Sequence, residues 1–256
     1  MSQHFLRILI STTFVLALHH LARASTCDAK LKRIADAGVS LSLLNQMARS
    51  VKDHSVVVKD RIALIDYSQP SVEKRMYIVN LNDGNVIRYR VSHGIGNDGK
   101  GNAVRGNGDI ANEFTLPEEV EQGKKLPDEA GSRKVSLGLY QILPKVHLSH
   151  RIGANLMLRG LDRVNKLAER RRVLIQRGSF MSDEFVNEHK RAGRSLGSFS
   201  VDPMSLDKII KQVRGSVLYA GLSAKAPAHD GAGPELRGLL RCSGHKQPNT
   251  SGSVAK

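Results

Sequence analysis

A mainly β domain with flanking helices is the architecture the sequence predicts, and three observations carry it. The runs Lys74 to Leu81 and Asn85 to Val91 flank Asn82-Asp83-Gly84, a turn signal between two strand-length segments, which predicts a β-hairpin. Short apolar runs rich in Ile, Leu and Val recur at Ile62-Ala63-Leu64-Ile65, Val173-Leu174-Ile175 and Val217-Leu218-Tyr219-Ala220. Helical periodicity is confined to an N-terminal stretch and a few short segments.

From Cys27 to about Val58, Leu31, Ile34 and Ala35, then Leu41, Leu44 and Met47, fall at three- and four-residue spacings with Gly38 between them, so a helical segment interrupted at Gly38 is expected. Strand character starts at Arg61. On the second hairpin strand Ile87, Tyr89 and Val91 alternate with Arg88 and Arg90, the pattern of a half-buried antiparallel sheet. A glycine-rich loop follows from Gly94 to Gly108, then a polar, acidic stretch to about Lys134, before strand character resumes in Ser136 to Ile142. The segment from Glu184 to Lys190 reads as polar and helix-like. Ser205 to Val213 predicts a helix capped by Ser205, with Leu206, Ile209, Ile210 and Val213 as its apolar stripe.

The chain has 256 residues, 40% of them apolar and 25% charged, enough for one principal core. Residues 1–24 read as a secretory signal peptide: Arg7 precedes the apolar run, and Ala22-Arg23-Ala24 is a small-x-small cleavage pattern. The expected organisation is thus a signal peptide over 1–24, a helical segment over 25–59, the main domain over 60–222 and a flexible tail over 223–256. The tail is rich in Gly, Pro, Ser and Lys, and its one apolar patch, Leu236-Leu239-Leu240, is too short to fold alone. No membrane span is expected after cleavage.

The formal charge is +15, and removing Arg7 and Arg23 with the signal peptide leaves +13. A basic exported protein meets anionic wall polymers and lipid headgroups first. Nucleic acid is not the expected partner, because the eleven aromatics form no stacking row beside basic residues. Two cysteines exclude a disulfide framework, and no Cys/His cluster has zinc-ligand spacing, so no metal site is expected. Export makes Cys27 and Cys242 disulfide-permissive: they either staple the two ends of the mature chain or stay free.

Two familiar patterns fail on context. Gly94-Ile95-Gly96-Asn97-Asp98-Gly99 fits a dinucleotide fingerprint, but Lys100-Gly101-Asn102 cannot open the helix that would bind the pyrophosphate. Gly193-Arg194-Ser195-Leu196-Gly197 fits the G-x-S-x-G nucleophile elbow, yet a helix-like segment leads in and Pro203 follows the exit, so a hydrolase using Ser195 is a minor alternative.

A third constellation is an ordered set: Ile62 through Asp66-Tyr67-Ser68-Gln69-Pro70-Ser71 to Arg75-Met76-Tyr77-Ile78-Val79; Val91-Ser92-His93-Gly94; Ser136-Leu137-Gly138-Leu139-Tyr140; Leu158-Arg159-Gly160-Leu161-Asp162 with Asn165; and Gly193 to Gly197 followed by Asp202-Pro203. In order and spacing it resembles the YkuD-type murein L,D-transpeptidase catalytic domain over about residues 61–220. The resemblance implies a β-sandwich-type domain with flanking helices, export, and a place in peptidoglycan biology. It implies no cofactor. In that family a cysteine thiolate attacks the diaminopimelate carbonyl of a tetrapeptide donor, releases the terminal D-alanine and passes the acyl group to an acceptor amine.

The resemblance breaks at the chemistry. Ser198 stands at the family's cysteine position and Gln176 at its histidine position. A cysteine, with an ordinary pKa of about 8.5, is held as thiolate by an imidazole; a serine needs a base at the moment of attack, and an amide is no base. Losing a general base alone costs about 10²–10⁴ in rate. His189 and His93 are the candidates for a substitute base. Arg194, Ser195, Gly197, His93 and Gly94 match the family around its cleft and are expected to contact substrate, Arg194 through a carboxylate. The expected function is a catalytically degenerate homologue that binds peptidoglycan stem peptides, another anionic wall polymer or a wall partner. Acyl transfer of transpeptidase or carboxypeptidase type through Ser198 is the alternative, with a Ser195 hydrolase or a basic surface adhesin behind it. Arg170-Arg171-Arg172 reads as a wall-anion contact or as a solvated strand edge. The acceptor and the oligomeric state are not legible.

Overall fold

The computed structural model describes residues 26–94, 134–223 and 231–242. The expected signal peptide, most of the glycine-rich loop and acidic stretch, and the rest of the tail lie outside the described residues. Helices α1 (26–36) and α2 (Leu41–Asp53) come first, separated at Gly38, whose φ is +82°. Strands β1 (Arg61–Asp66), β2 (Met76–Asn80), β3 (Val86–Tyr89), β4 (Gly138–Ser149), β5 (Gly153–Gly160) and β6 (Leu174–Arg177) follow. A short 3-10 turn (Ser179–Met181), α3 (Asp183–His189), β7 (Phe199–Val201), α4 (Pro203–Val213), β8 (Val217–Gly221) and α5 (Pro234–Leu239) complete the described chain.

All eight strands belong to one sheet in the order β3-β2-β1-β8-β4-β5-β6-β7. The β1/β8 and β6/β7 pairs are parallel and the others antiparallel. The sheet curls until its two ends meet: residues following β3 run beside those leading into β7, with a parallel bridge between Gly94 and Ser195. The expected mainly β domain is therefore realised as a sheet closed almost into a barrel.

Closure divides the apolar residues between two cores, because alternate side chains of a strand point to opposite faces. Ala63, Ile65, Ile78, Tyr140, Ile142, Leu156, Leu158, Phe199 and Leu218 pack inside with Leu206, Ile209, Ile210 and Val213 of α4. Ile62, Leu64, Tyr77, Val79 and Val217 face outward and are covered by α1 and α2 through Ile34, Leu43, Leu44 and Met47. Gly84 of the hairpin, at φ +77°, lies so close to α1 that a Cβ there would sit 2.8 Å from the Lys30 carbonyl oxygen.

Several expectations change. The cap of α4 is Asp202, whose carboxylate accepts from the Met204 amide at 3.3 Å, and Pro203 opens the helix, where its missing N–H is no loss. Ser205 instead donates to Asp202 Oδ2 at 3.1 Å. Ile87, in the edge strand β3, is 45% exposed although it lies opposite the core residue Ile78. Strands β5 and β7 were not legible: β7 has three residues between a bend and a proline. Residues 231–242 correct the flexible-tail expectation for that stretch. Leu236 and Leu240 are fully buried against α1 and α2, and Cys242 is disulfide-bonded to Cys27. The apolar patch cannot fold alone, but the outer core gives it a surface and the disulfide holds it there.

The disulfide closes a separation of 215 residues, and such bridges stabilise by about 2–5 kcal/mol. Cys27→Ser is expected to lower the unfolding free energy in urea by that amount, and Leu236→Ala by about 2–5 kcal/mol. The double variant is expected to lose less than the sum, since both changes release the same helix. Losses below about 0.5 kcal/mol would show that α5 is not anchored to the core.

Candidate active site

The site lies where the sheet closes. Ser92 N–H donates to the Ser200 carbonyl at 2.9 Å, Ser200 N–H donates to Ser92 Oγ at 2.9 Å, and Ser195 N–H donates to the His93 carbonyl at 2.8 Å. Those bonds place His93 and Gly94 against Ser195, Gly197 and Ser198. On the other side of β7 runs β6, in register Ile175 to Phe199 and Gln176 to Ser200. Ile175, Phe199 and Val201 point into the core, so Gln176 and Ser200 point away from it. The residues singled out in the sequence thus converge, with His189 as the exception.

The Gly193–Gly197 loop is shaped by close approaches. A Cβ on Gly193 would lie 2.5 Å from Phe180 Cβ. Gly197 adopts φ +106°, and a Cβ there would meet the Lys134 carbonyl oxygen at 2.9 Å and Arg171 Nη2 at 3.0 Å. Ser195 is 4% exposed, and its hydroxyl contacts the carbonyls of Ser198 and His93 while accepting from the Gly197 amide at 3.2 Å. It braces the turn. The strand-to-helix context of a nucleophile elbow is absent here, since β7, a strand, follows Ser195.

Ser198 is half-buried, and its Oγ accepts from the Leu174 amide at 3.2 Å. Gln176 Nε2 donates to Ser200 Oγ at 3.4 Å. Among the described residues no imidazole is hydrogen-bonded to Ser198. His189 ends α3, stacks on Phe185 with ring centroids 4.1 Å apart, and has Nδ1 3.1 Å from the Phe185 carbonyl oxygen. Its Nδ1 and one face of its ring are thus engaged on its own helix.

His93 is 4% exposed, and its Nδ1 lies 3.2 Å from Arg75 Nη2. A guanidinium only donates, so Nδ1 accepts and the ring proton belongs on Nε2. Burial first, then the positive charges of Arg75 and Arg194, push the His93 pKa well below its usual value. A base works best with a pKa near the operating pH, so this imidazole is a poor proton acceptor at neutrality.

Arg75, which the sequence does not single out as a site residue, lies directly behind His93. It is fully buried; Nε and Nη2 donate to the Val91 carbonyl at 3.2 and 3.1 Å, and Nη1 donates to the Gln69 carbonyl at 2.9 Å. Its guanidinium stacks over Tyr67, whose hydroxyl donates to the Ser92 carbonyl at 2.9 Å. The signal was an arginine opening an otherwise apolar strand run. Arg171 also turns inward, donating to the Lys134 carbonyl and Ser136 Oγ at 2.9 and 2.8 Å, while Arg172 takes φ +54°. The arginine triplet is therefore no single anion-binding face.

The remaining motif residues are structural. Asn165, fully buried, donates to the Leu137 and Leu139 carbonyls at 3.0 Å and accepts from the Asp162 amide at 3.0 Å. Asp162 accepts from the Leu139 amide at 2.7 Å and reaches Ser50 and His54 of the α2 end at 3.1 and 2.6 Å. Gly138 and Gly160 leave room for this knot: a Cβ on Gly160 would lie 1.8 Å from the Asn165 carbonyl oxygen.

A mainly β sheet closed over this set of loops is the class of structure in which the ordered motifs converge, and residues 35–220 match the family model of the L,D-transpeptidase catalytic domain. The match spans well over half of the chain, which belongs to that family. No curated protein matches the chain. Family membership ties the protein to peptidoglycan. Among the described residues, no helix is long and apolar enough to cross a membrane, and no group of three His, Cys, Asp or Glu could hold a metal.

The buried, neutral His93 makes stability depend on pH. The unfolded chain takes up a proton at about pH 6.5 that the folded chain refuses, so this group's contribution is complete above that pH and is lost as the pH falls below it. The expected slope is at most about 1.4 kcal/mol per pH unit. Urea titrations on either side of pH 6.5 read it, and His93→Gln, which keeps an acceptor for Arg75, is expected to flatten it.

Proposed function

We propose that this protein is an exported member of the family that has lost acyl transfer and works by binding peptidoglycan stem peptides or a wall partner. The observation that carries this reading is the pairing at the two expected catalytic positions: Ser198 Oγ rests on the Leu174 amide, and the Gln176 amide rests on Ser200. A hydroxyl without a base has no appreciable alkoxide at neutral pH, and the nearest buried imidazole has its proton affinity depressed. What the loops retain suits recognition. Arg194 and Arg75 place positive charge around His93, and a half-buried guanidinium at position 194 offers a fork for a stem-peptide carboxylate. A disulfide between Cys27 and Cys242 supports export, since such bonds persist in oxidising compartments.

Incubation of the mature chain with a diaminopimelate-containing disaccharide tetrapeptide, read by mass spectrometry, is expected to return the substrate unchanged. Freed D-alanine or a cross-linked dimer, abolished by Ser198→Ala, would overturn the reading in favour of a serine enzyme. Sedimentation with purified sacculi is expected to retain the protein, and Arg194→Ala to weaken retention by about ten-fold or more, the usual consequence of losing a charge-assisted hydrogen bond.

A further inference from the structure

Strands β4 and β5 outrun the sheet that carries them. Strand β4 pairs with β8 only through Gly138–Gln141, and β5 pairs with β6 only through Leu156 and Met157. Beyond a register shift between Ile142 and Val146, the ladder from His147/Asn155 to Ser149/Gly153 stands as a two-stranded ribbon. Pro144 and Lys145, together with the shift, are the usual means of blunting an exposed edge. Leu148 is the opposite: it is 85% exposed. In the ladder Leu148 opposes Ala154 and shares the face of Val146 and Leu156, so it continues the core face into solvent. Ile152, at the ribbon tip, is only half-buried.

The ribbon has one sign of charge. No Asp or Glu occurs between Gly138 and Leu161, whereas Lys145, His150 and Arg151 are exposed and His147 is half-buried. Arg177, which ends β6, adds to them near the ribbon tip, where its guanidinium packs on Gly153. Among the described residues, none of Lys145, Arg151 and Arg177 forms an ion pair.

We propose that the β4–β5 ribbon docks on an anionic lipid surface. Leu148 and Ile152 enter the boundary between headgroups and acyl chains, while Lys145, Arg151 and Arg177 meet the lipid phosphates. Charge complementarity selects an anionic partner, and the apolar tip selects lipid over a soluble polyanion, which offers nothing to a leucine. One short tip and a few cations give reversible, peripheral attachment. The ribbon shares no residue with the Ser198 site, so this inference stands apart from stem-peptide binding.

The test is flotation of the mature, disulfide-bonded chain with vesicles of phosphatidylcholine alone or mixed with phosphatidylglycerol. Binding is expected only to the mixed vesicles and is expected to fall as salt is added. Lys145→Gln with Arg151→Gln is expected to weaken it about 25-fold, roughly five-fold for each charge. Leu148→Ser is expected to weaken vesicle binding several-fold while leaving retention on immobilised polyphosphate unchanged. Thermal melts and sacculus sedimentation on the same proteins check folding and the Ser198 site separately. Absence of binding to the mixed vesicles overturns the proposal. So does a Leu148→Ser protein that binds them like wild type, because the ribbon is then only a polyanion contact.

Discussion

The backbone pairing of residues 92–94 with 195–200 is the constraint on which the rest of the domain depends. It joins the two ends of the sheet, encloses the inner core and brings segments about a hundred residues apart into one site. Ser92 and Ser195 reinforce it with their hydroxyls, each using a side chain where a regular ladder would use only backbone. Behind the seam, the buried Arg75 guanidinium holds the Val91 carbonyl and faces His93. A charge in that position is costly to bury, and its hydrogen bonds and the Tyr67 ring are what make it tolerable.

The same seam holds the loop that precedes β7. Gly193, Gly197 and Ser195 hold the loop in shape through close approaches and hydrogen bonds that do not involve a nucleophile. Ser198 and Gln176 likewise find polar partners in the neighbouring strand. Arg75 and Arg194 put positive charge beside His93.

Legibility from the sequence followed the range of the interactions. The β2–β3 hairpin, β1, β6, β8 and the helical N-terminus were readable, because turn chemistry and alternation act over a few residues. Strand β7 was hidden, since three residues between a bend and Pro203 show no periodicity, and Asp202 took the cap expected of Ser205. The glycines at 138 and 160 were visible as motif letters only; their reason is the Asp162–Asn165 knot. Residues 234–240 looked unable to fold because their partners, α1 and α2, lie about two hundred residues earlier.

The sequence by itself determined the family and the predominance of β structure, both of which are properties of local pattern and of side-chain chemistry. Tertiary structure alone decided that Cys27 pairs with Cys242, that His189 is held by Phe185 and that His93 sits neutral beside Arg75. It also decided that Leu148 stands in solvent within a basic ribbon. Distance, burial and field are set by chain segments remote in sequence, and no local pattern encodes them.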